Sequence, residues 1–296
     1  MSPQKFDITP EQRASHRQLL KRQLWVSPPV ATIKEVDLTG KTAIVTGSNT
    51  GIGLEVARQL LDVGVSKLIL AVRSANKGEE AKRNILSGRR TGKQVIEIWS
   101  LDLSSYDSII ALVDRTKTLE RLDIFPGRLV ITGSDASAMA KFKEQNSVPL
   151  LPSFQRAKVF RSPRSLLHSK LLGQFFLTEL AKRVPASVAI VKHCQPRSMH
   201  GSQLNREANG TVPGFIFGVI KRVLGRSPDV GARNITDAAV KHGMDSHGEY
   251  LEDGKIQPMA PIIYKTQGKR IASQLWQETM DDLAFAHVAD YRKRYE

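Results

Sequence analysis

The chain has 296 residues, 41% hydrophobic and 25% charged, a globular composition that excludes collagen-like, low-complexity and wholly disordered readings. The 44 Lys and Arg against 29 Asp and Glu give a net charge of +15, enough to attract phosphate-bearing ligands or an anionic surface; the basic residues are dispersed and aromatics reach only 6%, so no nucleic-acid partner is expected. The single cysteine, Cys194, permits no internal disulfide or CxxC pair, no apolar run is long enough for a transmembrane segment, and the start MSPQKFDITPEQ lacks a secretory pattern, so a cytoplasmic location is expected.

Residues 1–38 read as a basic helical extension ahead of one domain spanning 39–296. In the extension, Leu19, Leu20 and Leu24 recur at helical spacing between Pro10 and the Pro28-Pro29 pair. Two uses fit the pattern. One is a surface helix packed through those leucines; the other is weak association with an anionic membrane surface, because Arg17, Lys21 and Arg22 share the opposite face.

Thr42–Thr46, TAIVT, is a short strand that enters a glycine-rich turn and then a helix over about 52–63. Lys67–Val72, KLILAV, is the next strand and closes a βαβ unit. A helix over about 77–86 and a strand from Val95 to Leu101, running into Asp102-Leu103, make a second round. Leu122-Asp123-Ile124 and Leu129-Val130-Ile131 both read as strands, yet only four residues separate them. Parallel neighbours need a crossover of about a dozen residues, so either the first is not a full strand or the two are not parallel partners. Beyond lie a helix from Arg164 to Val184 carrying Leu167, Leu171, Phe175 and Leu180, a strand from Ala186 to Cys194, a Gly-rich apolar stretch between Asn209 and Arg226, and a helix from Asp229 to His242. Short apolar strands alternating with amphipathic helices predict a Rossmann-like α/β fold with a doubly wound parallel sheet.

The turn TGSNTGIG, Thr46 to Gly53, sets its glycines between a strand and a helix, where backbone N–H groups and the helix dipole can meet a pyrophosphate. Its candidate cofactor-binding residues are Gly47, Ser48, Asn49, Gly51, Ile52 and Gly53, with Asp102 at the end of a later strand. The alternative is a tight packing turn. Where an acidic residue would bind the ribose 2′-hydroxyl of NAD, the second strand ends in Ala71-Val72-Arg73-Ser74. Arginine suits a 2′-phosphate, so NADP(H) is favoured over NAD(H), with Ser48 and Ser74 as further donors. The plainer reading of Arg73 is a solvated surface residue.

TGSNTGIG, LILAVRSANKGEEAK, Asp102-Leu103, RLVITGS, SKLLGQFFLTELAKR and the later SHGEYLEDGKIQP and LWQETM together resemble the short-chain dehydrogenase/reductase family, in particular its fungal, retinol-dehydrogenase-like branch. The resemblance implies hydride transfer between NADP(H) and a small hydrophobic carbonyl or alcohol, in fungal secondary metabolism. It assigns Ser134 to the serine that steadies the substrate oxygen, Lys170 to the lysine that supports proton transfer and holds the ribose, and Ser202 to the position beside the nicotinamide. The Phe215–Leu224 stretch would be a substrate lid.

The chain departs from the family at three places. The proton-transferring tyrosine falls on Leu166, which has no ionisable group; His168 is either a substitute acid or a surface histidine. The segment with the family's Asn-Asn-Ala-Gly motif and catalytic asparagine looks absent, which implies a sheet missing the helix between the fourth and fifth strands. The family's Pro-Gly after the sixth strand is Pro196-Arg197, where an arginine would crowd the backbone. The alternative function is therefore a catalytically inactive relative that binds nucleotide or a partner, or a truncated gene product.

Overall fold

The structure is a computed structural model that describes residues 6–89, 92, 94–119, 126–154, 164–200, 222 and 224–288. In chain order, two short helices, α1 (Pro10–Arg13) and α2 (His16–Trp25), precede β1 (Thr42–Thr46), α3 (Gly51–Asp62), β2 (Lys67–Val72), α4 (Ala75–Leu86), β3 (Val95–Ser100) and α5 (Tyr106–Thr116). β4 (Gly127–Thr132), α6 (Leu151–Phe154), α7 (Arg164–Arg183), β5 (Ala189–Cys194), α8 (Pro228–Val240), the β6 (Tyr250–Glu252) and β7 (Lys255–Gln257) pair, and α9 (Thr266–Asp282) follow. The fold is the expected Rossmann-like α/β arrangement. Its strands fall into two sheets, one ordered β1-β2-β3 and one ordered β4-β5-β6-β7.

The chain forms two compact units, one of Ser27–Gly127 with Pro196–Lys241 and the other of Met1–Val26, Arg128–Gln195 and His242–Glu296. In the first, β1 pairs with β2 and β2 with β3, all parallel. The middle strand β2 is the apolar run KLILAV, in which Leu68 through Val72 are buried because both faces are covered. Val56, Ala57, Leu60 and Leu61 of α3 and Ala81 and Ile85 of α4 add to this core, each large side chain contributing about 1.5–3 kcal/mol. Helix α8 packs on α3, where Thr236 Oγ1 donates to Gln59 Oε1 (2.8 Å) and Gln59 Nε2 donates to the Asp229 backbone oxygen (2.9 Å).

In the second unit β5 pairs parallel with β6, and β6 turns back antiparallel onto β7. Helix α7 lies against β5 and α9, and Leu171 and Phe175 of α7 meet Ile271, Ala272 and Leu275 of α9 with Phe142 and Leu150. The N-terminal helices belong to this unit, and their contacts differ from the expected ones. Leu20 and Leu24 are half exposed and Trp25 is 75% exposed, whereas Arg13 and Gln23 are buried. Polar side chains anchor the extension because an acidic group, Glu252, is buried beneath it.

The sequence reading locates most elements within a few residues. It does not include the β6–β7 pair, α9, or α5, whose Ile109, Ile110 and Val113 follow a helical period but leave no residue buried. Leu129-Val130-Ile131 is the centre of β4. Leu122-Asp123-Ile124 lies outside the described residues, as do Ser202 and residues 215–221.

Candidate functional site

In the three-stranded unit, β1 ends at Thr46 and the chain turns through Gly47 and Gly51, both left-handed (φ 65° and 60°), into α3. A side chain at either would be strained. A Cβ on Gly53 would lie 2.5 Å from the Gly47 carbonyl oxygen, so only glycine lets the first turn of α3 pack back on the loop. Ser48 is fully buried and its hydroxyl donates to the Val45 carbonyl (2.9 Å), while the Gly47 N–H donates to Ala71 at the end of β2 (2.9 Å). Asn49 and Ile52 are partly buried beside it. The N-cap of α3, Thr50, makes no side-chain capping hydrogen bond. The first N–H groups of α3 thus lack the usual hydroxyl acceptor, and an anion fits there.

Arg73 follows β2 and is exposed. Ser74 is committed as the N-cap of α4, accepting from the Lys77 N–H. Asp102 follows β3 and accepts from the hydroxyl of Ser104 (2.7 Å) and its N–H (3.0 Å). These hydrogen bonds, with a smaller contribution from the Arg73 charge, hold its carboxyl below the usual range. Arg73 and Asp102 therefore share one edge of the unit with the glycine turn. The structure thus brings Gly47, Ser48, Asn49, Gly51, Ile52, Gly53, Arg73 and Asp102 to one edge of the unit, with Ser48 buried beneath it and its hydroxyl held by Val45.

In the four-stranded unit, Ser134 stands just past β4 and Lys170 about two turns into α7. The Lys170 ammonium donates to the Thr132 carbonyl (3.2 Å), two residues before Ser134, and burial lowers its pKa. The Ser134 hydroxyl oxygen accepts from the Ala136 N–H (3.2 Å), a bond that does not use the hydroxyl proton. Beneath the turn, His193 is fully buried and stacks on Tyr250 (5.6 Å between ring centres). Burial, then the charges of Lys170 and Arg13, push the His193 pKa down to about 3. The ring is neutral, and it fills the space that a Cβ on Gly133 would need.

Leu166 is on α7, partly buried, and brings no titratable group. The alternative of a surface position for His168 is corrected. It is buried, packed edge-on against Phe142 and Phe154, with Nε2 3.3 Å from the Lys141 carbonyl and Nδ1 3.8 Å from Glu144. It points to this aromatic group because two helical residues separate it from Lys170, about 200° around the axis. Arg197 adopts a left-handed backbone (φ 67°), the geometry for which glycine is suited. No group of three possible metal ligands and no helix long and apolar enough to cross a membrane occur among the described residues.

Some polar groups at this site have little signal in the sequence. Gln195 and Gln174, both fully buried, hold the Ser134 turn from two sides. Gln195 Oε1 accepts from the Asp135 N–H (2.7 Å), and Gln174 Nε2 donates to Ser137 Oγ (2.9 Å) while its Oε1 accepts from the Ala260 N–H (3.0 Å). The one hint is the polar run Lys192, His193, Gln195 following the apolar start of a strand.

The fold and the glycine turn define a Rossmann-like nucleotide-binding class. The family model for short chain dehydrogenases matches residues 41–147. The chain is 42% identical to the short-chain dehydrogenase fogG of Aspergillus ruber, covering 95% of this chain and 96% of that one, and 32% identical to the short chain dehydrogenase/reductase mfmJ of Annulohypoxylon moriforme, covering 90% and 91%. The chain belongs to the short chain dehydrogenase family, a family of nicotinamide-cofactor oxidoreductases, with relatives in fungi. The fogG alignment runs over 334 positions, and 95% of 296 residues is about 281, so about 53 positions face a gap in this chain. The fold is similar to that of a 3-oxoacyl (acyl-carrier-protein) reductase from Agrobacterium tumefaciens with NADP bound (TM-score 0.51, 15% identity, 75% of this chain and 95% of that one). It is likewise similar to a hydroxysteroid dehydrogenase from Escherichia coli (TM-score 0.50, 19% identity, 75% and 98%).

Proposed function

We propose that the chain is a cytoplasmic NADP(H)-dependent oxidoreductase of the short-chain dehydrogenase type acting on a small hydrophobic carbonyl or alcohol in fungal secondary metabolism. Residues 39–296 work as its single cofactor-binding domain, behind the 1–38 extension. The observation that carries this reading is the exposed Arg73 at the end of β2, beside Asp102 and on the edge of the glycine turn, where NAD would call for a carboxylate. When bound, the nicotinamide gives or takes the hydride. The turn residues Gly47 to Gly53 and the start of α3 hold the pyrophosphate, and Arg73 pairs with the 2′-phosphate. Ser134 donates to the carbonyl oxygen, and Lys170 holds the ribose. Ser202 takes the place beside the nicotinamide. Calorimetric titration with NADPH and NADH tests the cofactor choice: NADPH is expected to bind more tightly, and equal or reversed affinities would sink it.

A second reading rests on Leu166, since a hydrocarbon at the proton-transfer position favours a relative that binds nucleotide without efficient turnover. Loss of general acid–base help slows a reaction about 10² to 10⁴-fold. The Leu166→Tyr variant should recover part of that factor in NADPH oxidation with hydrophobic ketones if the acid is the missing element. A rate no higher than that of the natural chain would argue against it. Weak membrane-surface association would use the exposed Leu20, Leu24 and Trp25 with Arg17 and Lys21; co-sedimentation with anionic vesicles that salt does not weaken, or none at all, would reject it.

A further inference from the structure

The N-terminal extension sends a buried charge to the strand ends that carry Ser134. Arg13, the last residue of α1, has a side chain 2% exposed, and its guanidinium lies over the Tyr250 ring at 4.0 Å. Its Nη1 donates to Glu252 Oε2 (3.0 Å), and Arg22 Nη1 donates to the same oxygen (2.7 Å). Glu252 ends β6 and its side chain is 1% exposed. Its other oxygen, Oε1, accepts from Gln195 Nε2, one residue past β5. A side-chain amide donates only through nitrogen and accepts only through oxygen. Anchoring Nε2 on Glu252 therefore turns Gln195 Oε1 away, and that oxygen accepts the Asp135 N–H at 2.7 Å, immediately after Ser134.

We propose that Arg13 is a positioning residue for the Ser134 turn, acting through Glu252 and Gln195. This rests on the reading of Ser134 as the group that meets the substrate oxygen. A buried carboxylate needs fixed cationic partners to stay ionised, and an ionised Glu252 selects the Gln195 orientation that holds the Asp135 amide. Without Arg13, the carboxylate loses the more buried of the two arginines that meet Oε2, the other being Arg22 with a side chain 13% exposed, and the amide can flip, presenting N–H groups to an N–H. Gln174 clamps the far end of the same turn through Ser137 and Ala260 independently of the extension, so the effect should be confined to the Asp135 side.

The test is amide hydrogen exchange on the full chain, comparing the natural sequence with Arg13→Met, Arg13→Lys and Gln195→Leu. Arg13→Met and Gln195→Leu should each speed exchange at Asp135 about tenfold, the size of one net hydrogen bond. Arg13→Lys should retain most of the protection, and the β1 and α3 amides should be unchanged in all variants. An Asp135 amide that responds to Gln195→Leu but not to Arg13→Met overturns the link. So does an Arg13→Met variant that exchanges faster throughout the four-stranded unit, which is a merely structural loss. If Arg13→Met does not fold, Arg13→Gln gives the same comparison, since it keeps a donor but not the charge. The readout needs no cofactor, so a chain that fails to bind NADPH would overturn the oxidoreductase reading while leaving the link from Arg13 to the Asp135 amide to stand or fall on the exchange data.

Discussion

The two units of this protein meet the family pattern in opposite ways. The three-stranded unit keeps what a nucleotide needs in a short stretch: a buried β2, two left-handed glycines, a Gly53 with no room for a Cβ, and Arg73 on the same edge. The four-stranded unit keeps Ser134 and Lys170 but has Leu166 where an acid is expected, and beside its apolar core it buries Arg13, Glu252, Gln195, Gln174 and His193. A cofactor cradle is local, built mostly from backbone groups of one βαβ unit. Proton transfer needs side chains from segments far apart in sequence, so gaps against the relatives bear on it more than on the cradle.

That contrast can be broken most forcefully at Gly133. Gly133→Ala drives a methyl into the buried His193 ring, at 2.0 Å from Cε1, and should destabilise the four-stranded unit by about 3 kcal/mol. Chemical denaturation followed by hydrogen exchange would check it. A variant as stable as the natural chain would mean that His193 is not fixed beneath the turn.

Next in size is the cofactor edge. Arg73→Glu places a carboxylate against the 2′-phosphate and should weaken NADPH binding about 30-fold, or about 2 kcal/mol, while NADH binding is kept or improved. Equal weakening of both cofactors would show that Arg73 does not face the phosphate.

The third effect depends on pH. Burial raises the Glu249 carboxyl, just before β6, from an ordinary 4.5 to about 7. The folded chain therefore holds this proton more tightly than the unfolded one, and stability is lost as pH rises from 4.5 towards 7. Glu249→Gln removes that loss, so at pH 8 it should stabilise by about 1 kcal/mol after solvent screening is allowed for. At pH 4 it should do almost nothing, and thermal melts at the two values decide the matter.

The smallest effect is at Arg197, whose left-handed backbone costs a non-glycine residue about 1 kcal/mol. Arg197→Gly should recover about 0.5 kcal/mol net, the flexibility of glycine in the unfolded chain taking back the rest. A destabilised Arg197→Gly would show that the arginine side chain contributes more than its backbone costs.

The same contrast explains what the sequence made legible. Short apolar, β-branched runs locate β1 and β2, helical periods locate α3, α4 and α7, and the glycine turn is readable because its spacing follows from backbone geometry. Arg73 is readable from its place at a strand end. The buried network is not, since nothing local distinguishes Arg13 from the many other basic residues until Glu252, 239 residues away, is placed beside it. The leucines of α2 point the wrong way for the same reason: the partner beneath the extension is charged, so the apolar period of that helix does not mark its packed face. Position 168 follows this logic too, because burial of a histidine among Phe142 and Phe154 depends on residues 14 or more positions away.

The central claim is that the three-stranded unit retains a working nucleotide seat. Amide hydrogen exchange of the natural chain with and without saturating NADPH tests it most directly. The account predicts slowed exchange at Gly47 to Gly53 and in the first turn of α3, where backbone N–H groups meet the pyrophosphate. Exchange there that is unchanged by NADPH would contradict it.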